Sequence, residues 1–103
     1  FPAGDPRALS VAERAHKIAP GDPATLDTLG WLLVQKNQTA RGLGLLKQAA
    51  AKAPQAADIR YHLAVALARN GQKAQAKQEL ATVLRSGKDF PERQEARALH
   101  DRL

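Results

Sequence analysis

Apolar residues fall at steps of three and four along this chain, and the same arrangement returns after a fixed interval. Leu26, Leu29 and Leu33 are spaced in this way, and Leu63 and Leu67 repeat the second step 34 positions on. The interval of 34 also takes Ala12 to Leu46 and Leu80, Ala15 to Ala49 and Val83, and Pro20 to Pro54. A series of small residues, Ala8, Gly42 and Ala76, keeps the same interval. Steps of three and four put side chains on one face of an α-helix, whereas a half-buried strand alternates every two residues. The pattern predicts helices over about 6–19, 23–36, 40–53, 57–70, 73–86 and 91–102, and no strand.

The residues between these segments agree with the pattern. Asp5-Pro6 and Asp22-Pro23 read as an N-cap followed by the first helical residue. The carboxylate accepts from an orphan amide, and proline's fixed φ suits the opening turn. Asn37 and Gly71 occupy one repeat position between two helices, and both residue types tolerate the left-handed conformation that ends a helix. Small residues at Gly30, Ala64, Gly42 and Ala76 let helix backbones approach closely. Asp89 to Leu103 breaks the pattern: it is charge-rich, with a thin apolar stripe at Ala96, Leu99 and Leu103.

A period of 34 with this spacing resembles the tetratricopeptide repeat, whose pattern runs W-x2-L-G-x2-Y, then A-x3-F, then P. The first repeat core reads Leu26, Leu29-Gly30, Leu33, Gly42, Leu46, Pro54. The second reads Arg60, Leu63-Ala64, Leu67, Ala76, Leu80, with Lys88 in place of the proline. Leucines stand for the family's aromatics, and Arg60 for its tryptophan. The resemblance implies an all-α fold: a helix-turn-helix solenoid of about six antiparallel helices with a C-terminal capping helix. It divides the single domain 1–103 into the second helix of a truncated repeat (5–21), two full repeats (22–54 and 55–88) and a cap (89–103). The truncated first repeat leads us to expect that the natural protein extends further N-terminal, and that Leu9 and Val11 are partly uncovered there. Weak homo-association through that open end is expected.

Leu26-Asp27-Thr28-Leu29-Gly30-Trp31 and the run from Ile59 to Ala68 also resemble the C-terminal repeats of bacterial repeat lipoproteins of PEP-CTERM exosortase systems. That resemblance implies a bacterial cell-envelope or periplasmic protein with a part in exopolysaccharide assembly or protein sorting.

Composition narrows the picture. The 103 residues suit one domain, and the 44% apolar content is mostly Ala and Leu, with four aromatic residues. The longest strongly apolar run, Leu26 to Val34, is far shorter than the roughly 20 residues of a membrane span. No cysteine is present, so thiolate metal sites and disulfides are excluded. His16, His62 and His100 lie far apart, with no metal-ligand spacing; His16 and His100 read as solvated helix-surface residues. Gly42 and Gly44 sit within a helix rather than in a phosphate-binding loop. No constellation of nucleophile and base appears, so the chain is read as a non-enzyme without cofactor or metal.

A formal charge of +6 raises the possibility of nucleic acid. Eight basic residues (Lys36, Arg41, Lys47, Lys52, Arg60, Arg69, Lys73, Lys77) lie between Thr28 and Gln78, against one acid, Asp58. The repeat geometry spreads them around the solenoid, so nucleic acid is not the expected partner. In tetratricopeptide-repeat proteins the first helix of each pair lines a concave groove that holds a peptide or a partner helix. The resemblance assigns Asp27, Thr28, Trp31, Val34 and Gln35 to that groove from one inner helix. From the next it assigns Asp58, Tyr61, His62, Val65 and Arg69. Chaperone-binding members clamp a carboxylate there with Lys, Asn and Arg; Asp27, Trp31, Asp58 and His62 in those places speak against a C-terminal carboxylate ligand. Trp31 and Tyr61 form a ledge for an apolar side chain, and Trp31 also suits packing on the next repeat. The reading is a non-catalytic interaction scaffold. The alternative is a structural end of a longer array whose binding surface lies in further N-terminal repeats.

Overall fold

The computed structural model describes Pro2 and residues 4–103. The described residues form six helices: α1 (Pro6–Ile18), α2 (Pro23–Gln35), α3 (Thr39–Lys52), α4 (Ala57–Arg69), α5 (Lys73–Arg85) and α6 (Arg93–Arg102). No strand occurs among the described residues. Each helix lies within two residues of its expected span at either end. The caps account for the starts of α1 and α2: the Asp5 side chain accepts from the Arg7 N–H and the Asp22 side chain from the Thr25 N–H.

Equivalent turns have equivalent geometry. Asn37 and Gly71 have φ of 66° and 82°, the left-handed region expected of them. After each, an amide reaches back five residues, from Gln38 to the Leu33 carbonyl and from Gln72 to that of Leu67. Ala19 and Ala53 are both drawn out of the helix by the proline that follows, at φ −131° and −132°. The third such turn differs because Lys88 replaces proline. There α5 ends on Ser86, whose hydroxyl donates to the Val83 carbonyl, and Gly87 turns the chain at φ 71°.

Two helical hairpins, α2–α3 and α4–α5, stack side by side, with α1 on the flank of α2 and α6 on that of α5. Leu26, Leu29, Leu33 and Leu46 have no solvent exposure, and neither does Leu80. Burying each such leucine contributes roughly 1.5–3 kcal/mol. The α2–α3 pair is tightest where Gly30 meets Gly42: a Cβ on Gly42 would lie 2.6 Å from the Gly30 carbonyl oxygen.

The apolar face changes in step along the array. Leu26 is buried, its counterpart Arg60 is half-buried, and the next counterpart, Gln94, is exposed. Leu29 and Leu63 are buried, but Arg97 is exposed; Leu33 and Leu67 are buried, but Asp101 is exposed. The helix spacing continues into α6, while its residues at the repeat's apolar positions are polar and exposed. Polar residues occupy the face of α6 that no outer helix covers, while Ala96, Leu99 and Leu103 pack inward as expected. Arg60 is accommodated by its own contacts: it donates to the Pro54 carbonyl at 2.6 Å and pairs with Glu79 at 2.8 Å.

Candidate partner-binding groove

The inner helices α2 and α4 bring three rings into one cluster, and Phe90 just before α6 adds a fourth. Trp31 stacks on His62 with ring centroids 4.2 Å apart and planes 21° from parallel. Tyr61 flanks both, 6.3 Å from Trp31 and 5.8 Å from His62, and Phe90 lies 6.5 Å beyond Tyr61. Residues 61 and 62 point in different directions around α4, so His62 turns towards α2 and is buried while Tyr61 stays half-exposed. Burial raises the pKa of the Tyr61 hydroxyl, and the nearby Glu95 and Glu92 carboxylates raise it further.

His62 is held on both edges of its ring. Its Nδ1 lies 2.7 Å from Oδ1 of Asp27 on α2, and its Nε2 lies 3.6 Å from Oε2 of Glu92 at the N-cap of α6. Arg69 reaches the same neighbour from the other end of α4, donating to the Val34 carbonyl at 3.1 Å. The helices α2 and α4 are thus tied through one imidazole and one guanidinium, and the same imidazole faces Glu92 at the start of α6. Among the described residues, no group of three or more His, Cys, Asp or Glu side chains could hold a metal ion.

The expected groove residues divide between two clefts that share Trp31. Asp27, Thr28, Trp31, Gln35 and His62 line a cleft of about 590 Å³ bounded by α1 and α2. Trp31, Tyr61, Val65 and Arg69 line a second, of about 540 Å³, whose far wall is Glu95, Leu99 and Arg102 of α6. Asp58 lies in neither: it is exposed in the first turn of α4, and its carboxylate accepts from the Ile59 N–H. Val34 does not line the groove. It is fully buried, because it shares a helix face with Gly30 and packs over Gly42. His16 is also less solvated than expected: it is half-buried, and its Nδ1 is shielded without a hydrogen-bond partner. His100 is half-buried as well, 3.2 Å from Asp101.

The contribution of α6 was not visible from the charge-rich tail, although the 34-residue interval carries it, taking Asp58 to Glu92 and Val65 to Leu99. Of the basic residues, Arg41 pairs with Glu13 and Arg60 with Glu79, so the cations do not all serve one external surface.

Hairpins of helices repeating at a fixed interval, with an aromatic-lined inner face, set the frame for comparison with known proteins. The Tetratricopeptide repeat family model matches residues 33–99. The chain belongs to the tetratricopeptide-repeat family. No curated protein and no solved structure matches it. Tetratricopeptide-repeat domains generally bind proteins or peptides, and in this chain Trp31 borders both clefts.

Proposed function

We propose that this chain is a non-catalytic scaffold that holds a peptide or a partner helix across the inner face of α2, α4 and α6, with Trp31 as its anchor. The observation that carries this reading is the half-exposed Trp31 ring. One side is stacked on His62, and the residue borders an open cleft with Tyr61, Val65 and Leu99. A ring fixed on one face loses little freedom when a ligand covers the other, which is the economy of an interface hot spot. Arg69 and Arg102 beside the rings suit a ligand with acidic residues flanking an apolar one. The sequence resemblance to envelope repeat lipoproteins supports a place in envelope assembly, which fractionation of cells expressing the natural protein would test.

Trp31 is the sole tryptophan, so its emission reports directly on the cleft. Peptides selected on the chain from a displayed random library should shift or quench that emission. Trp31→Ala should weaken them by about 2 kcal/mol or more, while Lys47→Ala on the outer face of α3 leaves them unchanged. Selected peptides that bind Trp31→Ala as tightly as the parent would place the binding surface away from Trp31.

A further inference from the structure

In its neutral form the His62 ring cannot satisfy both of its neighbours. A carboxylate only accepts, so the 2.7 Å contact with Oδ1 of Asp27 places the ring proton on Nδ1. Nε2 is then a bare acceptor, and Oε2 of Glu92, a second acceptor, faces it at 3.6 Å. That separation is longer than a hydrogen bond, as expected of two opposed lone pairs. A second proton on the ring turns both nitrogens into donors, each with a carboxylate in front of it. The Asp27 and Glu92 side chains are only 15% and 29% exposed, so solvent screens them poorly.

The other charged groups of the surrounding helices are engaged elsewhere or border the far side of the ring cluster. On α4, Asp58 accepts from the Ile59 N–H, Arg60 is paired with Glu79 of α5, and Arg69 donates to the Val34 carbonyl. The Tyr61 hydroxyl, its pKa raised by burial, stays neutral. From α1 the adjoining cleft receives Ala8, Val11, Ala12 and Ala15, which carry no charge. Glu95 and Arg102 of α6 border the other cleft, beside Tyr61. Glu92 is the N-cap of α6 and makes no side-chain cap bond. What its carboxylate contacts therefore bears on how the start of α6 sits against α4.

We infer that His62 is a pH-operated latch between α4 and α6. When the ring takes a second proton, Nε2–H donates to Glu92 and draws the first turn of α6 onto α4. The neutral ring leaves that turn to the packing of Phe90 and Ala96. Histidine changes charge between about pH 5 and 8, so the latch closes in mild acid. Asp27 accepts from Nδ1–H in both forms, so the α2–α4 contact is the fixed side and α6 the moving one. Glu95, Leu99 and Arg102 of α6 form the far wall of the cleft that Trp31 borders. Closing the latch sets this wall against the rings. On the proposed groove, which this consequence rests on, a ligand there binds about fivefold tighter with the latch closed.

Hydrogen exchange of the ligand-free chain, corrected for the intrinsic pH dependence of exchange, reads the latch directly. The amides of residues 96–99 should be about fivefold better protected at about pH 5.5 than at about pH 8, with those of α3 unchanged. Glu92→Gln should remove the difference, because a side-chain amide donates to the bare nitrogen and accepts from the protonated one. His100→Gln, which removes the other histidine of α6, should keep it. Emission of Trp31, stacked on His62, should change over the same range in the parent and in Glu92→Gln but not in His62→Gln. Protection that is equal at both pH values in the parent, or a difference that survives Glu92→Gln, would overturn the latch. Library peptides that depend on Trp31 yet bind equally at both pH values would overturn its coupling to the cleft. Peptides indifferent to Trp31→Ala would overturn the groove instead, and the exchange measurement would still decide the latch.

Discussion

Gly42→Ala adds one methyl group to the most crowded point of the fold, and the structure gives the size of the consequence. The new Cβ would lie 2.6 Å from the Gly30 carbonyl oxygen, 2.7 Å from Val34 Cγ2 and 3.0 Å from the Val34 nitrogen. Two of these three atoms belong to the backbone of α2, so no rotamer change relieves the contact. The helices must part, and a gap of about 0.5–1 Å forfeits a quarter to a half of each dispersion contact along their shared face. Overpacking of this kind costs roughly 1–3 kcal/mol, against about 1 kcal/mol gained in helix propensity. The expected net loss for Gly42→Ala is about 1 kcal/mol, rising to about 3 kcal/mol for Gly42→Leu. Gly44 is the internal control: it sits two residues along the same helix, exposed, and its added Cβ would meet nothing within 4 Å. Gly44→Ala should stabilise by about 0.5–1 kcal/mol. Urea unfolding followed by helical circular dichroism measures both, with an unchanged m-value showing that only stability has moved. If Gly42→Ala is as stable as the parent, or if Gly44→Ala is destabilised, the face assignment of α3 is wrong.

Acid should destabilise the fold through Asp5, Glu13 and Asp22. Their folded pKa values are lowered below the ordinary 3.8, 4.5 and 3.8 by hydrogen bonds from Arg7, Arg41 and Thr25 respectively. A lowered folded pKa means that the stabilisation is complete above the ordinary value and is lost as pH falls through the folded one. The urea midpoint should therefore hold steady down to about pH 5 and fall below it, less steeply in Asp22→Asn, which retains a capping oxygen. At the paired turns, Asn37→Ala and Gly71→Ala should each cost about 1 kcal/mol, because both positions have positive φ. Equal stability of either variant in the same unfolding assay would show that the turn can re-form without the left-handed residue.

Most of the fold was legible in the sequence because it is written in short-range terms. Asp-Pro pairs fix helix starts, Asn37 and Gly71 fix ends, and the interval of 34 links them, so the helices follow from local chemistry repeated. Lateral direction was harder to read. An inner helix touches an outer helix on one side and another inner helix on the next, and positions 31, 34 and 35 divide between these surfaces within a single turn. Trp31 and Gln35 line clefts, whereas Val34 is consumed by the contact with Gly42. Asp58 had the right helix and the wrong turn. The role of α6 was obscured because its exposed face carries Gln94, Arg97 and Asp101 where the repeat has leucines or Arg60. Only the helix spacing continues there; the apolar residues of the repeat do not.

His62 shows how the same repeat sets up the groove. At its position the preceding inner helix has Thr28 and the following one has Ala96, so the imidazole is particular to the middle repeat. It is the buried polar residue of the core, 9% exposed, and such burial is unfavourable unless the ring's polar atoms are satisfied. Asp27 from α2 satisfies one nitrogen, and Glu92 from the start of α6 approaches the other. Apolar packing alone would let the three inner helices slide, because leucine contacts are tolerant of small shifts. A hydrogen bond of 2.7 Å is not, and the stacked Trp31 ring is fixed with it. The polar centre therefore holds α2 and α4 at one spacing and the anchor ring in one orientation. A groove already in its binding geometry loses less ordering entropy when a ligand arrives, which is where a small module can gain affinity without adding contact area.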